Sequence, residues 1–239
     1  MKLLAIDTST EGCSVALLNG SELLTGAKLL HLDEVCPQQH SKRVLPMVQQ
    51  LLTDSGLTLQ QLDGIVFGRG PGSFTGVRIG VGVTQGLAFG ADLPVYGVST
   101  LAAMAQAAYR LHGAKQVIAA IDARMAEIYL GLFTLDATLL MQEVGAEIAI
   151  KPTTLTASPL TGDIIGVGTG WQTYREPMLA WSAASGVVQI SDEILYPSAQ
   201  DMLALAVPAF VAGKFVAAEL AEPVYVRDEV TWKKLPGRG

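Results

Sequence analysis

An α/β fold of two similar lobes, each a mixed sheet with flanking helices, is predicted by three observations. A strand, an Asp turn and a second strand open the chain and recur halfway along it. Ala120-Ile121-Asp122 repeats Ala5-Ile6-Asp7 115 residues further on, and the apolar run 128–133 stands at that same distance from 13–18. A glycine loop also recurs in order: Gly68, Gly70 and Gly72 follow Val66-Phe67, and Gly166, Gly168 and Gly170 follow Ile164-Ile165. Finally, 239 residues that are 50% hydrophobic and 16% charged suffice to bury a large core. A supersecondary unit repeated in order implies two alike lobes.

Residues 3–6 and 13–18 are apolar runs on either side of a polar turn, the pattern of a hairpin, and Asn19-Gly20 supplies the next turn before a third strand near 22–29. Asp7 stands at a strand end beside Thr8 and Ser9. A carboxylate there can hold magnesium or orient a water against a phosphate, and it can equally cap its own turn. Over 38–54, Val44, Met47, Val48, Leu51 and Leu52 recur at helical spacing before Ser55-Gly56, which predicts an amphipathic helix kinked at Pro46. His31 and His40 are nine residues apart with no third ligand at useful spacing, so zinc is not expected.

Ile65-Val66-Phe67 reads as a buried strand leading into Gly68-Arg69-Gly70-Pro71-Gly72-Ser73 and then a helix to about Gly90. Strand, glycine loop and helix start make an anion cradle: the glycines let backbone approach a ligand, and Ser73 caps a helix whose free N–H groups favour negative charge. No Lys-Ser/Thr follows the last glycine and the spacing is not the dinucleotide fingerprint, so a plain tight connection accounts for the same residues. The helix carries Gly76, Gly80, Gly82, Gly86 and Gly90 on one side, each costing roughly 1 kcal/mol relative to alanine. Close packing on the protein's own sheet, or approach of another backbone, offsets that cost. Phe74, Val77, Arg78, Val81 and Gln85 form a mixed face suited to a partner.

A helix over 99–109, capped by Ser99 or Thr100 and ended near Gly113, crosses between the lobes, and a last helix spans 199–211 despite Pro208. The expected divisions are 1–100 for the first lobe, 101–214 for the second and 215–239 for a C-terminal segment. Paired lobes enclose a cleft, and a glycine loop on each side of it describes an actin-like, sugar-kinase-like nucleotide site. Its candidate residues are Asp7, Thr8, Gly70, Gly72, Gly168 and Gly170.

A net charge of −6 argues against binding nucleic acid over the whole surface. The exception is the end of the chain, where Arg227, Lys233, Lys234 and Arg238 surround Trp232 and reach either RNA, an acidic partner or solvent. Cys13 and Cys36 form no disulfide framework and no metal spacing. With no signal-peptide core and no apolar run near ~18 residues, the expected setting is cytoplasmic, without membrane contact.

Met1-Lys2-Leu3-Leu4-Ala5-Ile6-Asp7-Thr8-Ser9-Thr10, the stretch from Gly68-Arg69-Gly70-Pro71-Gly72-Ser73-Phe74-Thr75-Gly76 to Val77-Arg78-Ile79-Gly80, Ile121-Asp122-Ala123-Arg124-Met125 and Ala221-Glu222-Pro223-Val224-Tyr225 resemble the TsaB (YeaZ) family over nearly the whole chain. The resemblance implies an actin-like (RNase H-like) fold and a non-catalytic role as the partner of TsaD. With TsaE, that complex installs threonylcarbamoyl on the N6 of the adenosine beside the anticodon, in tRNAs reading codons that start with A, from threonylcarbamoyl-adenylate made by TsaC. It implies no catalytic residue and no metal here, because TsaD holds its metal through two histidines at HxxxH spacing and this chain has only His40 in that region. It also implies pairing through the two helices of the first lobe, carried by His40, Arg43, Val44, Met47, Leu51, Phe74, Val77, Arg78, Val81 and Gln85. A homodimer in isolation, tRNA contact only through the complex, and ATP or ADP at the interface with TsaD follow in the same way. The residues leave a second reading open, an independent ATPase or phosphotransferase with Asp7 and Asp122 facing ATP and magnesium. Three scattered histidines offer no Ser/His/Asp order for proteolysis.

Overall fold

The computed structural model describes residues 1–20, 28–156 and 158–227. Its first sheet joins β1 (Lys2–Asp7), β2 (Gly12–Asn19), β3 (Lys28–Val35), β4 (Gly64–Gly70) and β5 (Val95–Ser99) in the order β3-β2-β1-β4-β5. β1, β2 and β3 run antiparallel, and β4 and β5 continue parallel on the other side of β1. β3 lies later than the predicted 22–29, because it pairs with the full length of β2, from Asn19 opposite Lys28 to Gly12 opposite Val35. Residues 22–27 of the predicted strand are outside the described residues.

The second sheet joins β6 (Gln116–Arg124), β7 (Glu127–Leu135), β8 (Met141–Glu143), β10 (Gly162–Val167) and β11 (Gly186–Ile190) in the order β11-β10-β6-β7-β8, with β9 (Ile148–Ile150) also pairing with β7. Read from its first strand, this is the path of the first sheet again: an antiparallel meander on one side and two parallel strands on the other. The predicted duplication is therefore present in the topology.

Among the described residues, six α-helices connect and cover the sheets. α1 (His40–Ser55) buries the predicted stripe of Val44, Met47, Val48, Leu51 and Leu52, runs on through Pro46, and ends at Gly56 in the left-handed conformation at φ 68°. α2 (Phe74–Ala91) starts where Ser73 Oγ accepts the Gly76 N–H at 3.3 Å, the predicted cap. α3 (Thr100–His112) is capped by Ser99 and closed by Gly113. α4 (Thr169–Thr173) and α5 (Arg175–Ser182) follow β10, and α6 (Ala199–Val211) has the predicted bounds.

α1 and α2 cover one face of the first sheet, where Leu4, Ile6, Val15, Ile65 and Phe67 are buried. The opposite face, Leu3, Ala5, Ala16, Leu18 and Val66, meets Ala103 of α3 and Ala199, Met202, Leu203 and Ala206 of α6. α3 turns its other side, Leu101, Met104, Ala105 and Ala108, onto Val117, Ala119, Ile121 and Phe133 of the second sheet. Its alanines keep it thin enough to lie between two sheets, and each large apolar side chain buried there contributes about 1.5–3 kcal/mol. Trp171 of α4 and Met178 of α5 close the far face of the second sheet. Although α6 belongs to the 101–214 segment, it packs on the first sheet. Just beyond it Val216 bridges to Val95 of that lobe. Among the described residues, no helix is long and apolar enough to cross a membrane.

Candidate functional site

The turn after β1 is built around a buried carboxylate. Asp7 Oδ1 accepts the Ser9 backbone N–H and the Ser9 hydroxyl, both at 2.9 Å, and burial pushes the Asp7 carboxyl up to about 6. The turn is then sewn to α2. Thr8 Oγ1 donates to the Gly76 carbonyl at 2.7 Å, and the Ser73 N–H donates to the Ser9 carbonyl at 2.7 Å. Thr100 Oγ1, at the start of α3, donates to Ser9 Oγ at 3.0 Å.

This arrangement explains the glycines. A Cβ on Gly68 would fall within 3.0 Å of the Asp7 carboxylate, one on Gly72 within 3.0 Å of the Ser9 carbonyl, and one on Gly76 within 3.0 Å of the Thr8 carbonyl. Gly70, at φ 98°, faces the carbonyl of Val224 in the same way. In the second lobe Gly168, at φ 101°, and Gly170 press on the backbone of Ala120. At Gly70, Gly72, Gly168 and Gly170 a side chain is excluded by the protein's own backbone. Asp7 spends its carboxylate on the turn and Thr8 its hydroxyl on α2. Asp122 repeats only part of Asp7: its Oδ1 accepts the Arg124 N–H at 2.9 Å, but it is partly exposed and also takes the Tyr174 hydroxyl at 3.3 Å.

The interface candidates divide into three groups. His40, Val44, Met47, Leu51, Val77 and Val81 are buried, all but His40 in the first lobe's apolar core. His40 holds the Gly12 carbonyl at 3.2 Å. The outward face expected to hold Met47, Val77 and Val81 is corrected accordingly: these side chains point at the sheet. Arg43 is exposed and makes a two-pronged pair with Glu34, at 2.9 Å from Nε and 2.7 Å from Nη2. Phe74, Arg78 and Gln85 hold the C-terminal segment. The Phe74 ring lies 5.6 Å from that of Tyr225, Arg78 Nε donates to the Tyr225 hydroxyl at 2.8 Å, and Gln85 Nε2 donates to the Ala221 carbonyl at 3.1 Å.

The surface these two helices do present is different. Leu45 of α1 is 48% exposed and Phe89 of α2 is 63% exposed. A Cβ on Gly82, Gly86 or Gly90 would meet nothing within 4 Å among the described residues. The five helix glycines are thus two stripes, not one. Gly76 and Gly80 pack inward on Thr8, and Gly82, Gly86 and Gly90, four residues apart, open outward. That second four-residue spacing is the signal the one-sided reading passed over.

A groove of about 370 Å³ lies between β2, β3, α3 and the segment before α6, lined by Asp33, Glu34, Arg110, Leu111 and Tyr196 among others. At its floor Asp33 accepts Ser14 Oγ at 2.5 Å and Ser198 Oγ at 3.0 Å on one oxygen, and faces His31 Nδ1 at 2.8 Å with the other. Ser14 and His31 meet separate oxygens of one carboxylate, so this histidine is not placed to take a proton from that serine.

Two lobes with matching strand paths, helices between and outside them, and a glycine loop in each define an actin-like (RNase H-like) α/β protein. The profile of the family described as "TsaD: tRNA N6-adenosine threonylcarbamoyltransferase" matches residues 33–235. The Escherichia coli tRNA threonylcarbamoyladenosine biosynthesis protein TsaB is 49% identical over 100% of both chains, and that of Haemophilus influenzae is 44% identical over 100% of this chain and 98% of its own. YeaZ from Pseudomonas aeruginosa superposes with a TM-score of 0.81 at 45% identity, covering 94% of this chain and 99% of that one. A second structure from that organism, of an uncharacterized protein with similarity to peptidase YEAZ, gives 0.84 at 46% identity, covering 95% and 99%. This chain belongs to the TsaB family.

Proposed function

We propose that this protein is a non-catalytic partner of TsaD in the biosynthesis of threonylcarbamoyladenosine in tRNA. TsaD and TsaE act with it, the modified atom is N6 of the adenosine next to the anticodon in tRNAs reading codons that start with A, and the setting is the cytoplasm. The observation that carries the reading is the outward stripe Gly82, Gly86 and Gly90, with exposed Phe89 on the same helix and exposed Leu45 on α1. Bare backbone next to exposed apolar side chains suits close packing of another helix pair, as in the small-residue seams that let helices approach. The match to a TsaD profile over most of the chain supports a partner of like fold, which pairs through equivalent helices, and the same stripe serves a homodimer when TsaD is absent. The glycines of both loops are accounted for by packing against the chain's own backbone without any phosphate to be held, which favours a scaffold over an independent ATPase or phosphotransferase. ATP or ADP binds at the interface with TsaD, and tRNA is reached through the complex.

The test is threonylcarbamoyladenosine formation on unmodified tRNA from threonine, bicarbonate and ATP, with purified TsaC, TsaD and TsaE, with and without this protein. Product only in its presence, with no ATP hydrolysis by the isolated chain, is the expected result. Equal product without it overturns the reading.

A further inference from the structure

The last described stretch, 221–227, touches both lobes within a few residues. In the first lobe the Ala221 carbonyl accepts Gln85 Nε2 at 3.1 Å, and the Val224 N–H donates to the Arg69 carbonyl at 2.7 Å. Tyr225 lies beside Phe74, and the Arg78 guanidinium stands 3.6 Å over the Phe74 ring while its Nε holds the Tyr225 hydroxyl. Two residues on, Arg227 is in the second lobe. Its Nη2 donates to Glu127 Oε2 at 2.6 Å and to the Ala123 carbonyl at 3.1 Å, and its guanidinium lies 5.7 Å from the centre of the Tyr129 ring. The pair is largely withdrawn from water, with Arg227 19% and Glu127 27% exposed.

The structure at the far anchor is under strain. Arg124, Met125 and Ala126, at the tip of the β6–β7 hairpin, are three consecutive non-glycine residues in the left-handed region, at φ 63°, 57° and 61°. L-residues enter that region singly and at a cost, and such backbone persists only where its surroundings determine it. The other tie from this tip to the first lobe among the described residues is Arg124 to Glu11 at 3.4 Å, with both side chains more than half exposed. An exposed pair of that kind holds little.

We infer that residues 221–227 are a clasp: anchored by Tyr225 on α2 and by Arg227 on the β6–β7 hairpin, they fasten the two lobes to each other and hold the strained hairpin tip in place. Because one short segment carries both anchors, freeing Arg227 loosens the second lobe's hairpin and the first lobe's glycine loop together. The clasp requires no partner, and the inference is independent of the role proposed above.

Hydrogen exchange on the full chain tests it, comparing the natural protein with Arg227→Ala and, from the opposite side of the same contact, Glu127→Gln. Both variants should keep their circular dichroism. Both should exchange about tenfold faster at the hairpin tip, 123–127, and also at Val224, Gly76 and Val77, as expected when a hydrogen bond to a charged group is lost from a cooperative unit. Faster exchange confined to the hairpin overturns the clasp, since the two anchors would then be uncoupled, and so does unchanged exchange in both regions. If Arg227→Ala does not fold, Glu127→Gln alone decides between these outcomes.

Discussion

A methyl group placed at two glycines of the same loop and helix should have opposite effects. At Gly86 it enters open space on an exposed helix interior, so Gly86→Ala should stabilise the monomer by about 1 kcal/mol, the helix-propensity difference, or roughly 2–4 °C in Tm for a chain of this size. At Gly72 the methyl would lie within 3.0 Å of the Ser9 carbonyl, which already accepts the Ser73 N–H. Neither backbone can retreat without breaking that bond, so Gly72→Ala should cost at least the roughly 1–3 kcal/mol of an overpacked core. Association adds a second, independent sign. If the Gly82–Gly86–Gly90 stripe is where another helix pair seats, Gly86→Ala should weaken self-association and TsaD binding while raising monomer stability. Urea unfolding followed by circular dichroism at low protein concentration gives the first quantity, and sedimentation at micromolar concentration gives the second; both are needed because a dimer's apparent stability depends on concentration. Undiminished association of Gly86→Ala would refute the stripe as the interface, and a neutral Gly72→Ala would refute the packing account of the loop.

Further outcomes follow from the same geometry. Val77→Glu, at a residue expected from sequence to face a partner, should abolish folding instead of only association, because it buries an unpaired charge in the first lobe's core; a native circular dichroism spectrum would contradict this. Burial holds the Asp7 proton more tightly in the native state than in the unfolded chain, so the carboxyl's contribution to stability declines as pH rises from about 4 to about 6 and is level above. Asp7→Asn should therefore gain on the natural protein across that window, by about 3 kcal/mol between pH 4 and neutral pH, and a urea midpoint for the variant that falls relative to the natural protein as pH rises would show the sign to be wrong. Cys13, with its thiol pushed up to about 12 by burial and by neighbouring Cys36, and Cys36 itself, also raised by burial, should react with a disulfide reagent at pH 8 far more slowly in the native protein than in urea.

The strands β1, β2, β4, β6 and β7 and the helices 38–54 and 199–211 were readable in the sequence because apolar periodicity is local: a run such as Leu3-Leu4-Ala5-Ile6 between turn residues has few alternatives to a buried strand. The duplication was readable for the same reason, since both lobes use the same runs in the same order. The role of the glycines was not. A glycine reports that a Cβ is excluded but not by what, and at Gly72 and Gly170 the excluding group is the protein's own backbone. The buried side of α2 was equally ambiguous, because Val77 and Val81 point inward while Ile79 and Val83 on the neighbouring face are also apolar and only half-buried. Contacts such as Arg78 with Tyr225, 147 residues apart, leave no trace in any local pattern. The basic residues Lys233, Lys234 and Arg238 lie outside the described residues.

The alanine-rich helix α3 welds the duplicated halves into a single cooperative body. Ala103 belongs to one sheet's core and Met104, its neighbour, to the other's, while α6 arrives from the end of the chain to complete the first. A fragment cut after residue 100 would lose Ala103, Ala199, Met202, Leu203 and Ala206 together and bare the apolar face they cover. Neither half can be excised, swapped or reshaped alone, and any re-engineering of one must carry these two helices with it.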